Sequence, residues 1–506
     1  MPRRLRSFWI HAPLAALVLM APALANGFPF LFFDTVQYDE FGRSILSHAA
    51  GMLQGGGAAA GASGAAAATA ADGGTLSYVG GRSPVYSLFV SVGEAAGSYW
   101  LVAAVQCLIG AWLVGAAARA AAPARPLAAF WTAIGLLAAA SPLPFYAAFV
   151  MPDVHCGYGL AAVALLGLAP RTFRPLERVA LALAAAFAFA AHTTNLALGI
   201  VALAILGLGA WRARLGLLEA ARRGAWVAAP VVLALAAGGL FTLATTLALG
   251  EPARSPPYLM ARILADGPGR AYLATACEPR HAFEICRFRD RRLDYHNDIL
   301  WSRDPARGVF LFADTPSRRR MAVEETRFVL AVIRHDPWGE AAAAARNTGR
   351  QLAATGVADE FSKTREIWDQ MWFARLSPGA TAAATGSLAY RGRFPFGLFD
   401  LAQRTGLGLA LAYLAWRLVH PATRRALRRA PADRTPDEDR LAGLVLVTLG
   451  LMALLLANAA LCGALSGVQN RYQVRLLWLP LLLSALWAYS APRPGGIRSP
   501  GTGDTL

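Results

Sequence analysis

Long apolar runs return along the whole chain, each about 18–25 residues, separated by short turns or Arg-rich connections. A run of that length, coiled as a helix, matches the hydrocarbon core of a bilayer, where every backbone polar group must be satisfied internally. The runs fall near 8–28, 99–118, 127–149, 154–169, 177–193, 195–211, 225–249, 397–417, 441–465 and 474–491. The expected fold is an all-α polytopic membrane protein with about ten transmembrane helices. Composition agrees: 56% of the 506 residues are hydrophobic and only 16% are charged, where a soluble chain carries about 25% charged residues.

The net charge of +17 comes almost entirely from Arg. No motif interleaving aromatic and basic residues points to nucleic acid. Instead MPRRLR, RAAAPARP, PRTFRPLER, WRARLGLLEAARRG and the basic loop 418–440 all fall on one side of the ten-span count. Positive-inside bias makes that side cytoplasmic, together with both termini. MPRRLR, the apolar core and APALANG also fit a signal peptide, with Ala23 and Ala25 at a cleavage site; cleavage would leave the other spans oriented as before.

Three blocks follow. Residues 1–249 form an N-terminal transmembrane module with a first extracytoplasmic loop, 29–98, interrupted by a low-complexity insert at 49–74. Residues 250–396 are an extracytoplasmic soluble segment, long enough for a small α-helical subdomain with its own core. Residues 397–506 form a C-terminal transmembrane module. Residues 84–96 read as an interfacial helix lying on the membrane surface. Cys107, Cys156 and Cys462 read as buried small residues, whereas Cys277 and Cys286 can close a disulfide if their segment faces an oxidising compartment.

The chemically promising residues collect on the extracytoplasmic side. In FFDTVQYDEF, Asp34 sits just past the first span and shares a helix face with Tyr38; Asp39 and Glu40 read as solvated acids. GGRSPVY supplies Arg82, Pro84 and Tyr86, and MPDVH places Asp153 in the first turn of the next helix, where the helix dipole favours a carboxylate. HTTN adds His192. GVQNRYQVR adds Arg471, Tyr472 and Arg475, with guanidinium groups against the positive-inside bias and suited to a phosphate.

Asp-x-x-x-Tyr after the first span, Gly-Arg-x-Pro-x-Tyr, the acid of the next extracytoplasmic turn and a late Arg-Tyr pair together resemble the GT-C glycosyltransferases, among them protein O-mannosyltransferases and aminoarabinose transferases of lipid A. The resemblance covers roughly the first 210 residues and the last 40. It implies a polyprenyl-phosphate-sugar donor, a glycan, lipid or protein acceptor, inversion at the anomeric carbon, and a site on the extracytoplasmic face of the membrane; the Arg-for-Lys bias of the composition points to a bacterial inner membrane. It implies that Asp34 and Asp153 are catalytic, Asp34 as base or the two acids around a divalent cation. Tyr38, Arg82, Tyr86, Arg471 and Tyr472 match the pattern and would bind substrate; His192 and Arg475, polar groups on the same side, are added to that set from their own position. The pattern departs from many members at Thr35, where a second acid is common, and in the position of the soluble segment. A lipid or solute transporter or flippase, or a non-catalytic membrane scaffold, are the competing functions; both would tolerate loss of Asp34.

Overall fold

A computed structural model describes residues 3–53, 82–212, 217–250, 252, 254–277, 283–361, 376–430 and 433–490. Most of the low-complexity insert, from residue 54 onward, lies outside the described residues. Among the described residues there is no strand; extended chain pairs in one isolated bridge, Phe30 with Phe149.

The first half comprises α1 (Arg3–Asn26), α2 (Phe33–Leu53), α3 (Pro84–Ala96), α4 (Tyr99–Ala121), α5 (Pro126–Ala140), α6 (Leu143–Ala147), α7 (Asp153–Leu168), α8 (Pro175–Ala190), α9 (Thr193–Arg212) and α10 (Leu217–Leu249). There follow α11 (Tyr258–Asp266), α12 (Pro268–Ala276), α13 (His296–Trp301), α14 (Thr315–His335), α15 (Pro337–Ala353), α16 (Ala358–Phe361) and α17 (Pro378–Gly386). The last group is α18 (Phe396–Val419), α19 (Pro421–Arg428), α20 (Pro436–Leu465), α21 (Asn470–Val474) and α22 (Trp478–Ser490). Proline opens many of them, as at Pro84, Pro126, Pro175 and Pro436, where its missing N–H falls among groups that no helix bonds anyway.

Among the described residues, four stretches are long and apolar enough to cross a bilayer: Tyr99–Ala121, Thr193–Trp211, Ala221–Ala248 and Pro436–Leu465. Ile10–Asn26, Pro126–Ala140 and Asp153–Leu168 are apolar but shorter, and α8, α18 and α22 occupy the remaining expected segments. The run at 127–149 is not one helix. It stops at Ala140 and resumes briefly at Leu143, because Pro142 offers no N–H to continue the ladder. On α10, Val232, Leu240, Leu243 and Leu247 are exposed, an apolar surface of the kind that lipid tails cover.

The segment 250–396 divides in two. Met260, Ile263, Leu264, Leu273, Ile285, Val309, Phe328 and Val332 build a separate core across α11–α14, pinned by a Cys277–Cys286 disulfide with a Cα separation of 5.5 Å. Farther on, Val357, Phe361, Phe394 and Phe396 join the large core of the helical bundle instead. Helix α15 ties the two together. It lies so close along α20 that a Cβ on Gly463 would sit 2.7 Å from the Asn347 backbone. The Arg-rich connections gather at one end of the bundle, where Arg119 pairs with Glu177 at 2.7 Å and Ser490 Oγ donates to the Ala121 carbonyl at 2.8 Å.

Candidate functional site

The site forms at the other end, where the α1–α2 and α6–α7 connections run side by side. Phe30 N donates to the Ala148 carbonyl at 3.1 Å, and Val150 N donates back to the Phe30 carbonyl at 2.9 Å. Thr35, fully buried, clasps both: its Oγ1 accepts from Phe32 N and donates to the Val150 carbonyl, each at 2.9 Å. The clasp brings the first turn of α2, with Asp34, beside the first turn of α7, with Asp153. Two helix N-termini then share one region, which favours negative charge there.

Arg82 reaches the same place from α3. Ser83 caps that helix by accepting from Tyr86 N at 3.3 Å and donates its own hydroxyl to the Ala190 carbonyl at 2.7 Å. Gly42 lets α2 and α3 touch; a Cβ there would collide with the Ser87 carbonyl and the Ser91 hydroxyl. Arg82 consequently donates to Asp34 Oδ1 and, at 2.9 Å, to Gln37 Oε1. Helix α3, expected at the membrane surface, buries Tyr86, Ser87 and Val90. The Tyr86 ring meets the Tyr38 ring edge-on at 5.0 Å.

Arg471 and Arg475 arrive on α21. Gln351 of α15 holds the preceding turn, donating to the Gln469 carbonyl at 2.7 Å and accepting from Gln469 N at 3.0 Å. Arg471 Nη1 lies 3.5 Å from Asp34 Oδ2, and its Nε lies 3.8 Å from Glu360 Oε1. Arg475 Nη1 lies 3.7 Å from Asp153 Oδ1, while its Nη2 donates to Asn458 Oδ1 at 3.2 Å. The Tyr472 ring lies beside both guanidinium groups, at 5.2 and 5.4 Å, and the His192 ring is 6.3 Å from it. The charges are deeply set: Asp34 is 8% exposed, Asp153 3% and Arg475 0%. Nε and Nη1 of both Arg471 and Arg475 are buried with no hydrogen-bond acceptor among the described residues. Such donors are costly unless a ligand or water meets them.

Asp34, Tyr38, Arg82, Tyr86, Asp153, His192, Arg471, Tyr472 and Arg475 thus border one region. Cys277 and Cys286 lie apart from it, in the core of the 258–335 body. Asp39 is not a solvated acid: it is 1% exposed, accepts from the Tyr99 hydroxyl at 2.8 Å and pairs with Arg43 at 2.7 Å. Helix α2 continues past it and turns position 39 toward α4. Three further residues belong to the region. Glu360 and Tyr258 come from the segment between the two transmembrane modules and follow no motif. Tyr258 lies within electrostatic range of Arg82, Asp34 and Arg471, and burial pushes its phenol up to about 12. Asn458, a polar residue in an otherwise apolar stretch of α20, carries the usual sign of a functional residue in a span.

A divalent cation does not fit the acids as they stand. Asp34 faces Arg82 and Arg471, Asp153 faces Arg475, and no group of three His, Cys, Asp or Glu side chains with ligand geometry occurs among the described residues. An ion there would have to displace guanidinium groups from both carboxylates. An apolar cavity of about 240 Å³, lined by Leu165, Leu206, Leu444 and Leu486 with Asp439 and Arg440 beside them, lies at the Arg-rich end and shares no residue with this region.

No protein-family model, curated protein or solved structure matches the chain.

Proposed function

We propose that this protein is a GT-C-type membrane glycosyltransferase that moves a sugar from a polyprenyl-phosphate donor to an acceptor on the extracytoplasmic face of a bacterial inner membrane, with inversion and with both termini cytoplasmic. The observation that carries the proposal is the meeting of Asp34 and Asp153 with three guanidinium groups, Arg82, Arg471 and Arg475, two of which retain buried donors without acceptors among the described residues. Fixed cationic donors in a low-dielectric setting suit the charge that develops on a departing phosphate.

In the proposed step an acceptor hydroxyl attacks the sugar C1 from the face opposite the phosphate. Asp34 takes the hydroxyl proton as the new C1–O bond forms. The bond from C1 to the phosphate oxygen breaks, and polyprenyl phosphate leaves with the electron pair, neutralised by Arg471 with Arg475 or Arg82. Asp153 orients the acceptor. The prenyl chain stays in the bilayer throughout, which accounts for a site at the ends of apolar helices and removes any need for a nucleotide-binding loop.

The test is transfer of sugar from defined polyprenyl-phosphate sugars in vesicles containing the full chain. Asp34→Asn is expected to lower turnover about 10²–10⁴-fold, the usual contribution of a general base, with membrane insertion intact. Normal turnover in that variant would remove Asp34 from the chemistry.

A further inference from the structure

Three buried tyrosines of the bundle find acceptors for their hydroxyls. Tyr86 donates to Gln106 Oε1 at 3.0 Å, Tyr99 to Asp39 Oδ2 at 2.8 Å and Tyr158 to the Gln106 carbonyl at 2.9 Å. Tyr146 does not. It is 0% exposed, and its hydroxyl has no hydrogen-bond partner among the described residues. A buried hydroxyl left in that state costs stability, and a ligand that supplies the missing partner removes the cost.

The fold holds this residue firmly at the site. Tyr146 lies on α6, just ahead of the connection that leads into Asp153. Gln106 of α4, itself fully buried, fixes the backbone there by donating to the Ala147 and Phe149 carbonyls at 3.1 and 2.8 Å. The Tyr146 ring meets the Phe149 and Phe361 rings edge-on, at 6.1 and 5.8 Å. Its phenol lies within electrostatic range of Glu360, Asp153, Arg471 and Arg475, so the hydroxyl end is the one that meets the charged residues of the site. The groups left over around it are of one kind. Nε and Nη1 of both Arg471 and Arg475 have no acceptor among the described residues, and a phenol O–H donates as they do.

We infer that Tyr146 is a further substrate-binding residue, its hydroxyl donating to a phosphate oxygen of the lipid carrier beside the guanidinium groups of Arg471 and Arg475. This rests on the proposed transferase function and adds a neutral donor to its phosphate site. A phosphate oxygen only accepts, so it is complementary to the phenol and to the four guanidinium nitrogens at once. A sugar hydroxyl would suit the phenol but brings the guanidinium groups no charge. The fold uses the Tyr146 ring for packing; its oxygen is left for the ligand.

Equilibrium binding of a polyprenyl phosphate to the full chain in nanodiscs, with the matching polyprenol as control, tests this together with the unfolding midpoint of the same proteins. Tyr146→Phe removes the hydroxyl and keeps the ring. It is expected to bind the phosphate about tenfold more weakly than the wild type, to bind the prenol as before, and to unfold at a midpoint no lower, because no bond within the fold is lost. A loss shared equally by the prenol, or a lowered midpoint, would make the hydroxyl part of the packing and overturns the inference. If the wild type binds the phosphate and Tyr146→Phe binds it equally well, only the role of Tyr146 falls and the transferase function stands. If the wild type binds no polyprenyl phosphate at all, the transferase function falls and the inference with it.

Discussion

In the 258–335 body, Glu284 accepts hydrogen bonds from Arg320 Nε and Nη2 at 2.7 and 3.1 Å, from Arg287 at 2.7 Å and from Ser317 Oγ at 2.6 Å. At the site end of the bundle, Asp34, Asp153 and Glu360 face Arg471 and Arg475 across 3.5–3.8 Å, and four guanidinium nitrogens have no acceptor among the described residues. Both clusters are built from the same residue types. In the first, the carboxylate and its donors satisfy one another, so the cluster is closed and its role is to hold the fold. In the second, Arg82 donates to Asp34 and Arg475 Nη2 to Asn458, but Nε and Nη1 of both Arg471 and Arg475 find no acceptor among the described residues, which keeps donor capacity for something else. Arg–carboxylate geometry thus separates a structural cluster from a receptive one where composition cannot.

The largest effect is expected at Arg475, which has no exposed surface. Arg475→Ala leaves Asp153 short of its partner and is expected to cost about 3–5 kcal/mol of stability, read as a large fall in the unfolding midpoint of the purified protein. A loss under about 1 kcal/mol would place Arg475 wholly on the receptive side. Next in size is the disulfide. Cys277→Ser should destabilise the 258–335 body by about 2–3 kcal/mol and raise its susceptibility to limited proteolysis, leaving the bundle unaffected. Equal loosening of the bundle would show that the two cores unfold together.

Arg471→Ala sharpens the contrast from the other side. Donor affinity should fall about tenfold, or about 1.4 kcal/mol, while the unfolding midpoint barely moves. A stability loss matching that of Arg475 would erase the distinction between the clusters. The smallest effect belongs to Glu284. Partial burial pushes its carboxyl up, but hydrogen bonds from Arg320, Ser317 and Arg287 outweigh that and hold it at about 2 instead of 4.5. Its folded-state value is depressed, so its contribution is present above 4.5 and is lost as the pH falls toward about 2. Glu284→Gln should flatten that acid limb in pH-dependent melting of the 258–335 body. An unchanged limb would mean that another carboxylate controls it.

Parts of this arrangement are local and could be read from spacing. Asp34 and Tyr38, four apart, share a face because α2 begins at Phe33; Asp153 opens α7 because Pro152 precedes it. Other parts are not local. Thr35 is the clasp between two connections 115 residues apart, and nothing in its neighbours signals that. Glu360 and Tyr258 reach the region through folding of the central segment, with no periodicity to mark them. Asp39 failed for a related reason: a carboxylate beside a span is solvated only if the helix carrying it has no neighbour, and α2 has α3 and α4.

The sequence by itself determined that the chain is helical and apolar, because runs of that length satisfy their own backbone hydrogen bonds without help from distant residues. It determined where the helices start, through Pro and Ser at their first positions, and it concentrated Arg in the connections at one end. Only the tertiary structure decided which charges meet and how tightly. Ion-pair distance depends on how whole helices dock, through close approaches at Gly42 and Gly463 and the hold of Gln351 on the Gln469 turn. That docking sets the contacts of Glu284 at 2.6–3.1 Å and those of Arg471 and Arg475 with the site carboxylates at 3.5–3.8 Å, and no local pattern encodes the difference.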